Sequence, residues 1–454
     1  MTPEREKSLL SSLYDRLFDA ITYTPEGKQN AFNKTEIYFQ MAKNQVLNPD
    51  EFKDMASPSN PEGDLSTAAA FSEFVDRIPA PNPLWGDSNN KVSDQYEKVI
   101  AQAVCGTEPN PEQLAQYREA YNFLNTEREV KVVGGTRKNT MPSDSAIAYD
   151  DAQGEYITAV SGFRTAYNGY DLTKKDDQRQ WNAVAPGLQL NITKAWNGWG
   201  RAGKEEVEEA QKILSSTIND ALRTVIEDSR KRVSPAYKMA PIGPYSRGWL
   251  PSYASPSNWC TDLKGSKLKF TSNYLNKSES SSSHTYAADF SARWGLWHGS
   301  GGVEGEHSNS QSAIKAENLT LEAELILVSI MRPWYNPLIL SMKDWWVTGF
   351  KKNGISDGNL NGQLALVPTA FVVAKDVTIT ADFSEEDKKV VKNMVNTKAE
   401  GGWGPFSVSG KYGHKSSQED FSSKFDGSSL KLPGFQVVAW INSITPPSPP
   451  SDAK

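Results

Sequence analysis

Two cysteines and four histidines in 454 residues leave little material for a disulfide framework or a metal centre. Cys105 and Cys260 stand far apart in the chain, at no spacing used by metal sites, and read as separate thiols. That fits a reducing compartment. Charge is nearly balanced, with 49 Lys and Arg against 55 Asp and Glu. The net charge is -6 and the pI near 5.5, so there is no basic footprint for nucleic acid. No apolar run approaches the ~18–20 residues that a membrane helix requires. The opening MTPEREKSLLSSL is charged and then amphipathic, without the continuous apolar core of a secretory signal. The expected location is cytoplasmic, or exported without a conventional signal peptide.

Catalytic signatures are missing too. There is no G-x-S-x-G elbow, no phosphate-binding loop and no dinucleotide fingerprint around Gly134-Gly135 or Gly301-Gly302. His298, Glu304, Glu306 and His307 share one glycine-rich loop and are proper ligand types for a divalent ion. Their spacing matches no established site, so the loop reads as solvated. No metal and no cofactor are expected. A hydrolase whose serine, histidine and acid meet only in three dimensions is the least favoured of three functional classes.

What the chain does have is aromatic residues: thirteen Trp and seventeen Tyr against a hydrophobic content of 38% and a mean hydropathy of -0.57. Each buried ring removes a large apolar area from water, which offsets the shortage of aliphatics. The first 234 residues carry mainly helical patterns. Apolar residues at 3–4 spacing predict helices over Thr2–Ile21, Leu65–Arg77 (capped by Asp64), Val92–Val104, Glu112–Asn125 and Ser143–Gly169. A short helix is expected over Glu36–Ala42. A mixed segment, interrupted at Pro186-Gly187, is expected over Asp176–Trp199. The clearest pattern runs as one helix from Lys204 to Arg232, with acids at its start and bases at its end. Thr126–Thr140 fits no single element.

The composition changes after Pro235. Strand patterns appear at Lys267–Tyr274, Thr285–Trp297 and Phe435–Ile444, and at Leu364–Phe383, where Pro368 is expected to break the ladder. Ser384 should cap a helix reaching Val395. Pro446 to Pro450 reads as a polyproline II tail. The most apolar long segment, Asn318–Thr348, is expected to be two strands folded back across Arg332–Pro337. Its side chains should be half-exposed up to Leu325 and covered on both faces from Ile326 to Ile330. The expected fold is α+β: a mainly helical domain (1–234), an antiparallel, sandwich-like β-rich domain (235–445) with Ser/Gly-rich hairpins, and a Pro-rich tail (446–454).

For function, the candidate binding residues are Arg332, Trp334, Tyr335, Trp345 and Trp346. A guanidinium between proline-fixed rings can stack or grip exposed carbonyls. Adjacent Trp345 and Trp346 must point to opposite faces of a strand, so one meets a second layer or a partner. The leading expectation is a non-enzymatic protein that self-associates or binds another protein through this aromatic-rich β domain. The alternative is a membrane-active, pore-forming protein. Its Ser-rich segments, Ser278–Asn318 and Ser407–Ser429, would become barrel hairpins. A weak echo joins those segments: Trp294-Gly295 and Trp403-Gly404 each open a Gly/Ser-rich, His-containing stretch.

Overall fold

A computed structural model describes Leu13, Leu17 and residues 37–452, apart from 43–44, 59, 107–110, 133–134, 171–173, 218–220, 243–247, 262, 264, 272–296, 300–318, 399, 413–419 and 433. The first half contains β1 (Ile37–Met41), β2 (Val46–Leu47), α1 (Leu65–Val75), β3 (Arg77–Pro79), β4 (Asp87–Lys91), α2 (Val92–Gln102) and β5 (Ala103–Cys105). It continues with α3 (Pro111–Leu124), β6 (Asn125–Val132), β7 (Gly135–Pro142), α4 (Asp144–Gly169), α5 (Lys175–Arg201), α6 (Lys204–Thr217) and α7 (Leu222–Val233). The second half adds β8 (Tyr253–Ser255), β9 (Ser266–Thr271), β10 (Trp297–Gly299), β11 (Thr320–Met331), β12 (Trp345–Val347) and β13 (Leu366–Thr380). After α8 (Glu385–Thr397) come β14 (Gly401–Trp403), β15 (Phe406–Lys411), β16 (Asp420–Ser422), β17 (Lys424–Phe425), β18 (Ser429–Lys431) and β19 (Phe435–Ile444). The fold is mixed α+β around an antiparallel, strongly curled sheet.

That sheet runs in the order β1-β19-β13-β11-β8, with β9 beside the first half of β11. Its two faces hold different cores. Leu321, Ala323 and Leu325 of β11 and Val372 and Ala374 of β13 pack on one side with Leu13, Leu17, Val391 of α8 and Val408. Ile326, Val328 and Ile330 pack on the other side with Phe71 and Phe74 of α1 and with Trp259. The buried set therefore changes face along β11, while Leu327 and Ser329 stay half-buried, so the expected covering of both faces from Ile326 to Ile330 is not what is seen. Phe371 is the centre of the second core. Its ring lies 5.3–6.3 Å from those of Trp440, Trp259, Phe74 and Phe71. A third core joins α2, α3, α6 and α7 to the segment around Trp334–Val347, and a fourth fills the seam of α4, α5 and α6.

The first 234 residues thus hold seven of the eight described helices and also give strands to the second half. β1 pairs antiparallel with β19, and β5 pairs with β12 through Trp345↔Cys105. The change in composition at Pro235 does not separate two cores.

Several local expectations are corrected. Glu36–Ala42 contains a strand, not a helix: in IYFQM, four consecutive residues are buried, which a paired strand under two layers permits. Asp176–Trp199 lies within one continuous helix, α5, with Pro186 inside it. Asn182, four residues earlier, is exposed, so water can serve the carbonyl that proline leaves without a donor. Within Lys204–Arg232 two helices are described, α6 and α7, with 218–220 between them outside the described residues. Pro368 does not break β13; the ladder absorbs it at a register shift between Pro368 and Ala370. Asn318–Thr348 is not a hairpin. β11 pairs with β13, β8 and β9, while β12 turns away through a 3-10 turn, Pro337–Ser341, to pair with β5. The tail continues the fold: Ser448 exchanges backbone hydrogen bonds with Ser356, and its hydroxyl donates to the Leu340 carbonyl.

Other expectations correspond to what is observed. Asp64 caps α1 by accepting from the Thr67 amide at 2.7 Å. Ser384 and Asp387 form a reciprocal capping box at α8. Leu13 and Leu17 are helical and buried; the rest of the expected Thr2–Ile21 helix, and nearly all of Thr285–Trp297, lies outside the described residues.

Candidate functional site

Arg332 ends β11 and lies almost wholly inside the protein. One guanidinium nitrogen donates to the Val75 carbonyl at 2.6 Å and another to the Pro368 carbonyl. It therefore stands at the C-terminal end of α1, where orphan carbonyls and the negative end of the helix dipole favour a cation. Asp76, the capping residue there, accepts from the Ser93 amide at 2.8 Å and from the Ser93 hydroxyl. Burial pushes the Asp76 carboxyl up to about 6, against the Ser93 bonds and the Arg332 charge. Burial lowers Arg332 to about 10, against the pull of Asp76. Each charge favours the other without direct contact, and the two carbonyl bonds of Arg332 are what tie α1 to the sheet.

The neighbouring aromatics divide. Trp334 and Trp345 are buried in the third core, and Trp346 is half-buried with its ring over Gly106. The expected opposition of Trp345 and Trp346 therefore holds. Tyr335 packs edge-on to Tyr96 at 4.8 Å, and the Tyr96 hydroxyl accepts from the Asn336 amide at 3.1 Å. Of the five candidate residues, Arg332 and Tyr335 also line a cavity.

This cavity, about 330 Å³, opens between α3, α4, α6, α7 and the Met331–Leu338 segment. Tyr117 and Tyr121 of α3 stack at 6.0 Å on one wall, and Tyr149 of α4 and Tyr335 contribute further rings. Arg232 of α7 covers Tyr121, its guanidinium carbon 4.6 Å from the ring centroid, and donates to the Pro333 carbonyl at 3.3 Å. Asp150 lies on α4, where a smaller hollow lined by Tyr253 and Ser255 adjoins. Among the described residues its carboxyl has no hydrogen-bond or ion-pair partner. Burial, with the Asp151 charge beside it, pushes it up to about 7. Sequence reasoning missed this wall; the signal was the i, i+4 pair Tyr117 and Tyr121 and the acid pair Asp150-Asp151 in a helix of small residues.

Above the cavity, α4 and α5 form an antiparallel arm. Tyr149 and Tyr156 meet Trp199 at its base, at 5.4 and 5.5 Å, while Phe163 and Tyr167 meet Trp181 at its far end, each at 5.2 Å. In the 27 residues of α5 the buried ones are Ile192 and Trp199. Val184, Leu190 and Trp196 stay exposed, as does Tyr167 of α4, at 41–52% of their full area. A lone exposed apolar residue needs no explanation, but four on one two-helix arm do.

Among the described residues no three His, Cys, Asp or Glu side chains come together to hold a metal ion, and no helix is long and apolar enough to cross a membrane. His298 is paired opposite Gly402 in β10; the other three histidines, with Glu304 and Glu306, lie outside the described residues. No family model, curated protein or solved structure matches the chain.

Proposed function

We propose that this is a non-enzymatic self-associating protein whose α4–α5 arm docks against the same arm of a second copy. The observation that carries the reading is the under-buried α5, with Val184, Leu190 and Trp196 exposed. At 100° per residue these three do not share one stripe, so α4 alone cannot cover them; the two helices of another arm can. Charge favours the same partner. α4 carries four acids and one base, and α5 carries four bases and two acids, so a two-fold arrangement sets each α4 against the other copy's α5. A 27-residue helix is ~40 Å long. Two such helices offer on the order of 800 Å² of one face, the usual contribution per partner in a stable interface.

The arm replaces the aromatic β surface as the proposed contact, since Trp334 and Trp345 are spent on the core. The test is sedimentation velocity over a broad concentration range on the wild-type chain and on Leu190→Glu/Trp196→Glu. Dimers in the first and monomers in the second support the reading.

One observation favours a second, membrane-active reading. The small sheet β10-β14-β15-β16 sets Trp297, from the span Ser278–Asn318, opposite Trp403, beside β15 at the start of Ser407–Ser429. Strands joined at that sheet could leave the fold together as hairpins. Dye-loaded liposomes test this; no leakage across pH and lipid composition removes it.

A further inference from the structure

We infer that the tyrosine-walled cavity at the base of the arm is a binding site for a small aromatic carboxylate. Its size, about 330 Å³, is that of a small-molecule site. Tyr117 and Tyr121 stack at 6.0 Å and Tyr335 adds a third ring, so a flat apolar body has aromatic faces to lie against. Two guanidiniums, Arg232 and Arg332, line the same space against one acid, the half-buried Asp150. Other acids near the two arginines are engaged elsewhere. Asp228 of α7 pairs with Lys231 at 3.4 Å, and Asp76 accepts from the Ser93 amide at 2.8 Å.

Two unused donors on these residues decide the chemistry of the ligand. The Arg332 Nε is buried without an acceptor, while the other two nitrogens of that guanidinium are taken by the Val75 and Pro368 carbonyls. The Tyr121 hydroxyl is also buried and makes no hydrogen bond of normal geometry, although the Arg232 guanidinium lies 4.6 Å from its ring centre. Buried donors are ordinarily paired, so the cavity lacks an acceptor. A carboxylate offers acceptors only, and its two oxygens match the planar fork of a guanidinium. An ammonium group has no acceptor to give, and it would meet two cations. A neutral hydroxyl could accept from one donor but would leave the two positive charges unanswered.

The probe is phenylacetate, with 2-phenylethanol and phenethylamine as neutral and cationic counterparts of similar shape. Titration calorimetry on the full chain at pH 8 should give saturable binding of phenylacetate, with both counterparts weaker by tenfold or more. Arg232→Gln should weaken the acid at least tenfold and change the alcohol little. Asp150→Asn removes the one acid of the lining and should tighten phenylacetate about threefold, which keeps the test decisive if Arg232→Gln folds poorly. Ala146→Leu, which fills the cavity from α4, should weaken the acid and so places it there. Equal binding of the three probes, acid binding that survives Arg232→Gln in a folded variant or does not tighten in Asp150→Asn, or no acid binding at millimolar concentration overturns the assignment. None of these results depends on whether the arm self-associates.

Discussion

Arg332 reaches the carbonyl of Val75 at 2.6 Å across 257 residues of sequence and so fastens α1 to the end of β11. The same guanidinium takes the Pro368 carbonyl, an acceptor at the bulge that lets proline sit inside β13. Replacing it with methionine leaves two buried carbonyls and the Asp76 carboxylate without their cation. Arg332→Met should cost roughly 2–5 kcal/mol, the usual penalty for leaving two buried acceptors without their charged donor. Arg332→Lys should recover only part, because one ammonium cannot span both carbonyls. Urea midpoints measure both, and a loss below ~1 kcal/mol for methionine would refute the clamp.

Asp150 gives a pH-dependent prediction. Its carboxyl titrates at about 7 in the folded chain against 3.8 for the free side chain, so the fold holds the proton more tightly. That contribution is fully present in acid, is lost as pH rises from about 4 through 7, and is a constant cost above that. Asn has the shape of the neutral acid and never ionises. The Asp150→Asn variant should melt higher than wild type at pH 8, with the gap closing towards pH 4. A gap independent of pH contradicts the assignment of the shift to this residue.

Gln436 bridges the two sheets in the way a strand would. Its amide nitrogen donates to the Ser407 carbonyl at 2.9 Å while its oxygen accepts from the Ser407 amide at 2.8 Å, all of it buried. Gln436→Leu keeps the volume but removes both of these bonds to the Ser407 backbone. The expected loss is about 2–3 kcal/mol. Hydrogen exchange at the Ser407 amide should rise in parallel, and an unchanged exchange rate would show that β15 is held by other contacts.

The Pro-rich tail makes a prediction that a disordered ending would not. Ser448 is wholly buried, and the Ser356 hydroxyl donates to the Thr445 carbonyl at 2.6 Å beside it. Ser448→Ala removes the donor to Leu340 and should cost about 1–2 kcal/mol by thermal melting. Exposed serines such as Ser216 should change nothing measurable when replaced in the same way.

Much of this architecture is legible in the residues, and the failures have physical reasons. Helix caps are local, so Asp64 and Ser384 could be read directly, whereas the apolar run Ile326–Ile330 marked a change of buried face and not burial on both. Proline misled twice: Pro186 sits in an exposed helix where water replaces the lost bond, and Pro368 sits at a bulge whose carbonyl Arg332 satisfies. Pairings between distant segments left no local mark. Nothing in Ile37–Met41 or Ala103–Cys105 announces β19 or β12 as its neighbour. Arg332 was visible as unusual because a cation stood between two apolar runs. The cavity beside it was not, because its tyrosines come from α3, α4 and the turn after β11, and only the fold brings them together.

The central claim is that the α4–α5 arm joins two copies. Sedimentation velocity of the wild-type chain, followed over about a hundredfold range of concentration, measures this directly, with two copies in place of one as the expected limit. The account predicts a dimer that dissociates on dilution and a Leu190→Glu/Trp196→Glu variant that stays monomeric with unchanged circular dichroism. A wild-type chain that remains monomeric throughout, or a variant that still dimerises, contradicts it.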